Sequence, residues 1–362
     1  MSNLGVAIVG VGGVALANHL PGLALCPGVK VVAVCDTDPG TLERARVATQ
    51  APVALSDWRE VVTRDDVHAV IVCTPNHVHA PISMAAAKAG KHVLCEKPIA
   101  MTSTEAFEMW QTAERANVRH MTAFTYRFVP AMRYVAHLVE QGAVGTPYHF
   151  RAQRFQDWGA RPLGWRQQKR LARSGELGDM LSHRIDYAHL LVGPFARLVA
   201  QTRLLVKERG GEPADVEDWV SILADFEQGS TGVMESSKLC TGVGEGKDSP
   251  DRCEVNGSEG SLVYQLAQPN QILRASKGDK RLQVEQVPRE FLTFPGSPRD
   301  SAQGDPGVVF RYDQSVEFIQ AVREERACAP SFAEGYAAQV VMDAALLSAD
   351  ERRWVEINYL RV

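Results

Sequence analysis

The chain has 362 residues, 45% hydrophobic and 23% charged, enough for two buried cores and too unbiased for a disordered or fibrous chain. Lysine and arginine number 39 against 43 acidic residues. The resulting charge of −4 gives neither nucleic acid nor an anionic membrane an electrostatic reason to bind. No stretch approaches the roughly 20 apolar residues of a membrane span, and no basic flank with a cleavage site precedes the first apolar run. The expected location is the cytoplasm. Seven cysteines, odd in number and without a CxxC, predict neither a disulfide framework nor a metal site.

Apolar runs at 4–9, 30–35, 67–73 and 92–95 read as strands, and the stretches 81–89 and 105–116 read as helices. Continuous apolar strands separated by helices predict a parallel sheet covered on both faces. This first domain is expected over residues 1–124. The pattern then changes. A helix is predicted at 130–141, an alternating strand at 147–156 and a second helix at 177–191. Strand segments fill 198–287, and 267–307 reads as exposed loop with some strand. Helices at 308–325 and 333–349 precede a final strand at 354–357. Runs of strands without intervening helices predict an α+β second domain, residues 125–362, with a mostly antiparallel sheet.

The first strand ends in Gly10-Val11-Gly12-Gly13-Val14-Ala15, which fits G-x-G-x-x-G/A. The first glycine permits the tight turn, and the second lets backbone approach a pyrophosphate at a helix N-terminus. Ala15 needs only to be small. Asp36 ends the next strand, where a carboxylate accepts both ribose hydroxyls and repels a 2′-phosphate, so NAD is expected over NADP. Asp38, before Pro39, is the better helix cap. Thr74-Pro75-Asn76 follows the strand ending at Cys73, either as a plain turn or as a cofactor contact at the carboxyl edge.

Glu96-Lys97-Pro98 follows the strand at 92–95. Lys97 is either a solvated lysine or a group aimed at the crevice where a nicotinamide would lie. Asp179 and His183 stand four apart on one helix face, as a surface pair or as part of a site. No third ligand has convincing spacing for a metal.

These segments resemble the Gfo/Idh/MocA oxidoreductases along nearly the whole chain. The resemblance runs through the Gly10 loop, Thr74-Pro75-Asn76-His77 with His79, and Glu96-Lys97-Pro98. It continues with Tyr126-Arg127-Phe128 and Pro130, Trp165-Arg166, Asp179-x3-His183-x2-Asp186, the 254–262 hairpin and Arg353-Trp354-Val355-Glu356. It implies an N-terminal Rossmann doubly wound parallel sheet and a C-terminal α+β domain whose large open sheet mediates dimers or tetramers. It also implies cofactor contacts from Gly10, Gly12, Gly13, Val14, Ala15, Asp36, Thr37, Thr74, Pro75, Asn76, His79, Glu96, Lys97 and Arg127. Lys97, Asp179 and His183 map onto its catalytic positions. Lys97 or His183 would take the hydroxyl proton while hydride leaves carbon, and Asp179 would orient them.

Trp158, Trp165 and Arg166 join Lys97, Asp179 and His183 as substrate contacts, or else belong to a packed loop. Arg173-Ser174-Gly175 replaces the triple glycine that the family often carries, and Arg173 is expected at the substrate mouth. The expected activity is NAD-dependent oxidation of a secondary hydroxyl of a sugar, sugar derivative or cyclitol. An NAD-retaining glycoside hydrolase and a non-catalytic NAD-binding sensor are the alternatives on this fold.

Overall fold

The computed structural model describes residues 3–244 and 250–360. Six strands, β1 (Leu4–Val9), β2 (Val29–Cys35), β3 (Val53–Leu55), β4 (Ala69–Val72), β5 (His92–Cys95) and β6 (His120–Thr122), form one sheet in the order β3-β2-β1-β4-β5-β6. Every pair is parallel. Alternate residues serve opposite cores: Val6 and Ile8 pack on one face, Ala7 and Val9 on the other. That two-sided burial explains the continuous apolar runs. Helices α1 (Leu20–Ala24), α2 (Pro39–Thr49), α3 (Trp58–Val62), α4 (His79–Lys88) and α5 (Ser103–Arg115) cover the sheet. Asp38 caps α2 by accepting the Thr41 amide at 2.7 Å. The strand order reverses between β1 and β4, which opens a crevice at their carboxyl ends.

After α6 (Pro130–Glu140) come β7 (Pro147–Phe155), α7 (Lys169–Ala172), α8 (Ser182–Leu191), β8 (Phe195–Arg203) and the small hairpin of β9 (Glu208–Arg209) and β10 (Glu212–Pro213). Next follow β11 (Trp219–Phe226), β12 (Thr231–Ser237), β13 (Arg252–Gly257), β14 (Gly260–Gln265), β15 (Gln271–Ser276) and β16 (Gln283–Gln286). Helices α9 (Asp313–Arg323) and α10 (Phe332–Glu351) precede β17 (Val355–Glu356). Nine of these strands form a sheet in the order β16-β15-β14-β13-β7-β12-β11-β8-β17. Only β7 and β12 pair in parallel, so their carboxyl ends lie side by side. On β11, Val220, Ile222 and Ala224 point into the core while Leu223 stays 48% exposed, which marks a sheet with one open face. α10 returns to the first sheet: the Ser103 amide donates to Asp343 at 2.7 Å, and Thr122 donates to the Ser331 carbonyl at 2.9 Å.

Several boundaries differ from the sequence reading. The helix expected at 177–191 opens as a π-turn, Leu177–Leu181, with the Ser182 amide reaching back five residues to Leu177. Another π-turn, Ala15–His19, stands between the glycine loop and α1, and there the Leu20 amide reaches Ala15. The strand expected to start at Leu198 begins at Phe195. The late helix expected from Val308 begins with a 3-10 turn, Val309–Tyr312. β3 and β6 went unread because three residues show no periodicity.

Candidate active site

A cavity of about 540 Å³ runs from the carboxyl edge of the parallel sheet to the carboxyl ends of β7 and β12. Val14, Thr74, Asn76, His79, Glu96 and Lys97 line it on the first side. Trp158, Trp165, Arg166, Asp179 and His183 line it on the other. The resemblance thus gathers residues 86 positions apart (183 − 97) around one space.

The glycine loop has the shape a dinucleotide needs. Gly10 has φ +82°, and a Cβ there would lie 2.6 Å from the backbone of Cys73 and Thr74, so no larger residue fits. Gly12 and Gly13 have nothing within 4 Å of their Cβ positions, which leaves their backbone open to a phosphate. Ala15 is fully buried behind them. Asp36 reaches the same loop: its Oδ2 accepts the Val11 amide at 2.9 Å and its Oδ1 the Asp38 amide at 3.0 Å. Thr37 is exposed beside it. The residues present fit NAD, with the glycine loop for the pyrophosphate and the Asp36 carboxylate for the ribose hydroxyls.

Two loops of this sheet are strapped together. The ring nitrogens of His79 lie 2.8 Å and 2.9 Å from the carbonyls of Thr74 and Pro98. Pro75 starts the turn and does not line the cavity. Asn76 donates to the Ala172 carbonyl at 3.1 Å and so links the two sheets' territories. Glu96 accepts from, or pairs with, His19 at 2.8 Å. Burial alone would raise the Glu96 carboxyl, but His19 and Lys97 hold it below its ordinary value.

Lys97 is not a solvated lysine. Its Nζ donates to the Asp179 carbonyl and stands 3.3 Å from Asp179 Oδ1. Arg166 Nε approaches the same oxygen at 3.4 Å. Burial pushes Asp179 up, yet Lys97, Arg166 and Lys238 outweigh it and leave the carboxyl at about 2. The loop carrying Pro98 packs this close because Gly178 has no side chain. A Cβ there would lie 3.2 Å from Pro98 Cγ and 2.7 Å from Ser174 Oγ. Glu217 pins the start of the turn, its Oε1 accepting the amides of Gly175 at 2.7 Å and Leu177 at 3.0 Å.

His183 is buried edge-on between Tyr126, with centroids 4.6 Å apart, and Phe124, at 5.8 Å. Burial, then the charges of Lys97, Arg184, Arg154 and Arg311, push it well below the ordinary histidine value. Both effects favour the neutral imidazole. Trp158 and Trp165 each carry a stacked guanidinium, Arg161 at 4.0 Å and Arg166 at 4.3 Å.

The floor escaped the sequence reading. Parallel β7 and β12 deliver Arg154, Gln156, Ser236 and Lys238 to one end of the sheet, all buried. Arg154 and the fully buried Arg184 both grip Asp251. Glu176 accepts Ser236 Oγ at 2.5 Å and faces Lys238 Nζ at 3.8 Å. Burial lifts its carboxyl to about 7 despite Lys238.

Two arginines expected near the site have partners of their own. Arg127 forms a two-pronged bond with buried Asp186 at 2.6 and 2.7 Å and is not among the residues lining the cavity. Arg173 does not face the cavity mouth either. Its left-handed backbone, φ +67°, turns it toward Asp343 of α10, 3.4 Å away.

Residues 4–124 match the model of the oxidoreductase family with an NAD-binding Rossmann fold, and residues 132–263 match the GFO/IDH/MocA C-terminal domain. The chain is 33% identical to levoglucosan dehydrogenase of Pseudarthrobacter phenanthrenivorans over 99% of both chains. It is 27% identical to myo-inositol 2-dehydrogenase of Thermotoga maritima over 98% of both. A solved levoglucosan dehydrogenase in complex with NADH and levoglucosan superposes with a TM-score of 0.90 at 31% identity, over 99% of this chain and 100% of that one.

Proposed function

The chain belongs to the Gfo/Idh/MocA family of oxidoreductases, and from that footing we propose that it oxidises a secondary hydroxyl of a sugar, sugar derivative or cyclitol with NAD. The observation that carries this reading is the meeting of Lys97, Asp179 and His183 on the cavity that continues to the glycine loop. Bound NAD supplies the hydride acceptor. The chain's own groups handle the hydroxyl. The imidazole of His183, and Lys97 Nζ once its ammonium has given up a proton, are the two places where the hydroxyl proton can be held. Ionised Asp179 fixes Lys97 and Arg166 in orientation. Trp158 and Trp165 offer ring faces to the apolar side of a sugar.

We assign cofactor binding to residues 1–124, and substrate binding and assembly to residues 125–362. The work belongs in the cytoplasm, where the dinucleotide is at hand and seven free cysteines stay reduced. Among the described residues no helix is long and apolar enough to cross a membrane.

A screen of sugars and cyclitols, levoglucosan and myo-inositol included, read by NADH absorbance, tests the activity. Stoichiometric NADH with a keto product supports it. Release of an aglycone without net NADH points instead to NAD-assisted glycoside cleavage, and NADH binding with no turnover of any kind removes the enzymatic reading.

Asp36 sets the cofactor choice. Its carboxylate would repel a 2′-phosphate, so kcat/KM with NAD should far exceed that with NADP. Asp36→Ser should narrow the gap by weakening NAD. Equal efficiency of the parent enzyme with both cofactors rules out this role.

The open face of the nine-stranded sheet, where Leu223 of β11 is exposed, is assigned to self-association. Light scattering at micromolar concentration should give a multiple of the 39.7 kDa chain mass. A clean monomer contradicts it.

A further inference from the structure

The cavity holds more positive charge than its own acids use. Lys97, Arg154, Arg166 and Arg311 line it, against Glu96, Asp179 and Asp305. Lys97 and Arg166 share Asp179. Arg154 faces Asp251 at 3.3 Å, and Glu96 is engaged by His19. Exposed Asp305 turns its Oδ1 onto the Gly307 amide at 2.8 Å. Arg311 is left over. Among the described residues its guanidinium forms no ion pair, and its Nε is buried without a hydrogen-bond partner.

Arg311 sits on the 3-10 turn Val309–Tyr312, partly withdrawn from solvent. A guanidinium in that position gains most from a carboxylate or phosphate, which accepts two parallel N–H bonds. Its place relative to the chemistry is fixed by Tyr126. That ring's centroid lies 5.8 Å from the Arg311 guanidinium carbon and 4.6 Å from the centroid of His183. Arg311 and His183 therefore approach the same aromatic ring and line the same cavity, which puts both within reach of one sugar-sized ligand.

We propose that the substrate is a sugar acid, a uronate or aldonate, whose carboxylate is held by Arg311 while the hydroxyl under oxidation lies at Lys97 and His183. This rests on the sugar-oxidising reading above. The carboxylate is a spectator: the carbinol carbon loses hydride to NAD, the hydroxyl loses its proton to the protein, and a keto acid leaves. The other anion within reach is the pyrophosphate of the dinucleotide, so the test has an arm for each.

The first arm compares kcat/KM for glucuronate, galacturonate and gluconate with glucose, galactose and levoglucosan, by NADH absorbance. The parent enzyme should favour an acid over its neutral counterpart by about 10- to 100-fold, the value of a charge-assisted hydrogen bond. Arg311→Met should collapse that ratio, and Arg311→Lys should restore part of it. The second arm titrates NADH fluorescence with the same proteins. A weaker Kd for NADH with an unchanged acid-to-neutral ratio assigns Arg311 to the cofactor and overturns the proposal. Turnover of neutral sugars with the acids ignored by the parent enzyme, a comparison needing no variant, overturns it while leaving the dehydrogenase reading intact. No turnover of any sugar overturns both.

Discussion

Lys97→Ala and His183→Ala should each lower kcat by about 10²- to 10⁴-fold, the usual contribution of a positioned acid–base group. Lys97 is held against Asp179, and His183 is buried with four cations near it, so both side chains are fixed in place on the cavity wall. The loss should fall on kcat, with the Kd for NADH nearly unmoved, because the glycine loop and Asp36 are independent of both side chains. The double variant should lose less than the product of the single losses, since groups that act as a unit are not additive. Asp179→Asn should impair kcat by freeing Lys97 and Arg166 from their shared anchor. Because His183 titrates well below its ordinary value, the His183→Ala defect should be the same at pH 6 and pH 8. Near-parental turnover by His183→Ala would make α8 a purely structural helix.

Asp251→Ala should cost about 3–5 kcal/mol of stability. Asp251 is buried and is gripped by Arg184 and Arg154, both of them buried as well. Removing the carboxylate leaves two guanidiniums in the interior with no counter-charge, a much larger penalty than losing an exposed ion pair. Surface pairs such as Lys277–Glu259 should by contrast cost under about 1 kcal/mol when broken. Urea unfolding of both variants measures the difference. A shift for Asp251→Ala no larger than that for Glu259→Ala would show that water reaches the Arg184 site.

The parallel domain was legible because its strands are buried on both faces and so spell themselves as unbroken apolar runs. The phosphate loop was legible for the same reason that it works: only small residues fit where the Gly10 turn meets the backbone of Cys73 and Thr74. Lys97, Asp179 and His183 came from motif order over the whole chain, since Lys97 alone reads as solvent-exposed. The floor was hidden. Arg154 and Ser236 are single polar residues on the inward face of strands, and what unites them is a parallel pairing between segments some 80 positions apart. The pairings of Arg127 with Asp186 and of Arg173 with Asp343 were hidden because the partners are distant in sequence and no local pattern announces them.

The π-turns at Ala15–His19 and Leu177–Leu181 govern which way the side chains beyond them face. Each loop of backbone is one residue wider than an α-turn, as an insertion into a finished helix would leave it. Deleting a residue there would let the ladder close with regular bonds. It would also swing everything on one side of the deletion by about 100° about the helix axis. For the second turn, that swing would part Asp179 from His183 or from Lys97. The two widened turns stand at the two ends of one cavity, so the residue count of each turn sets how its side chains enter the site.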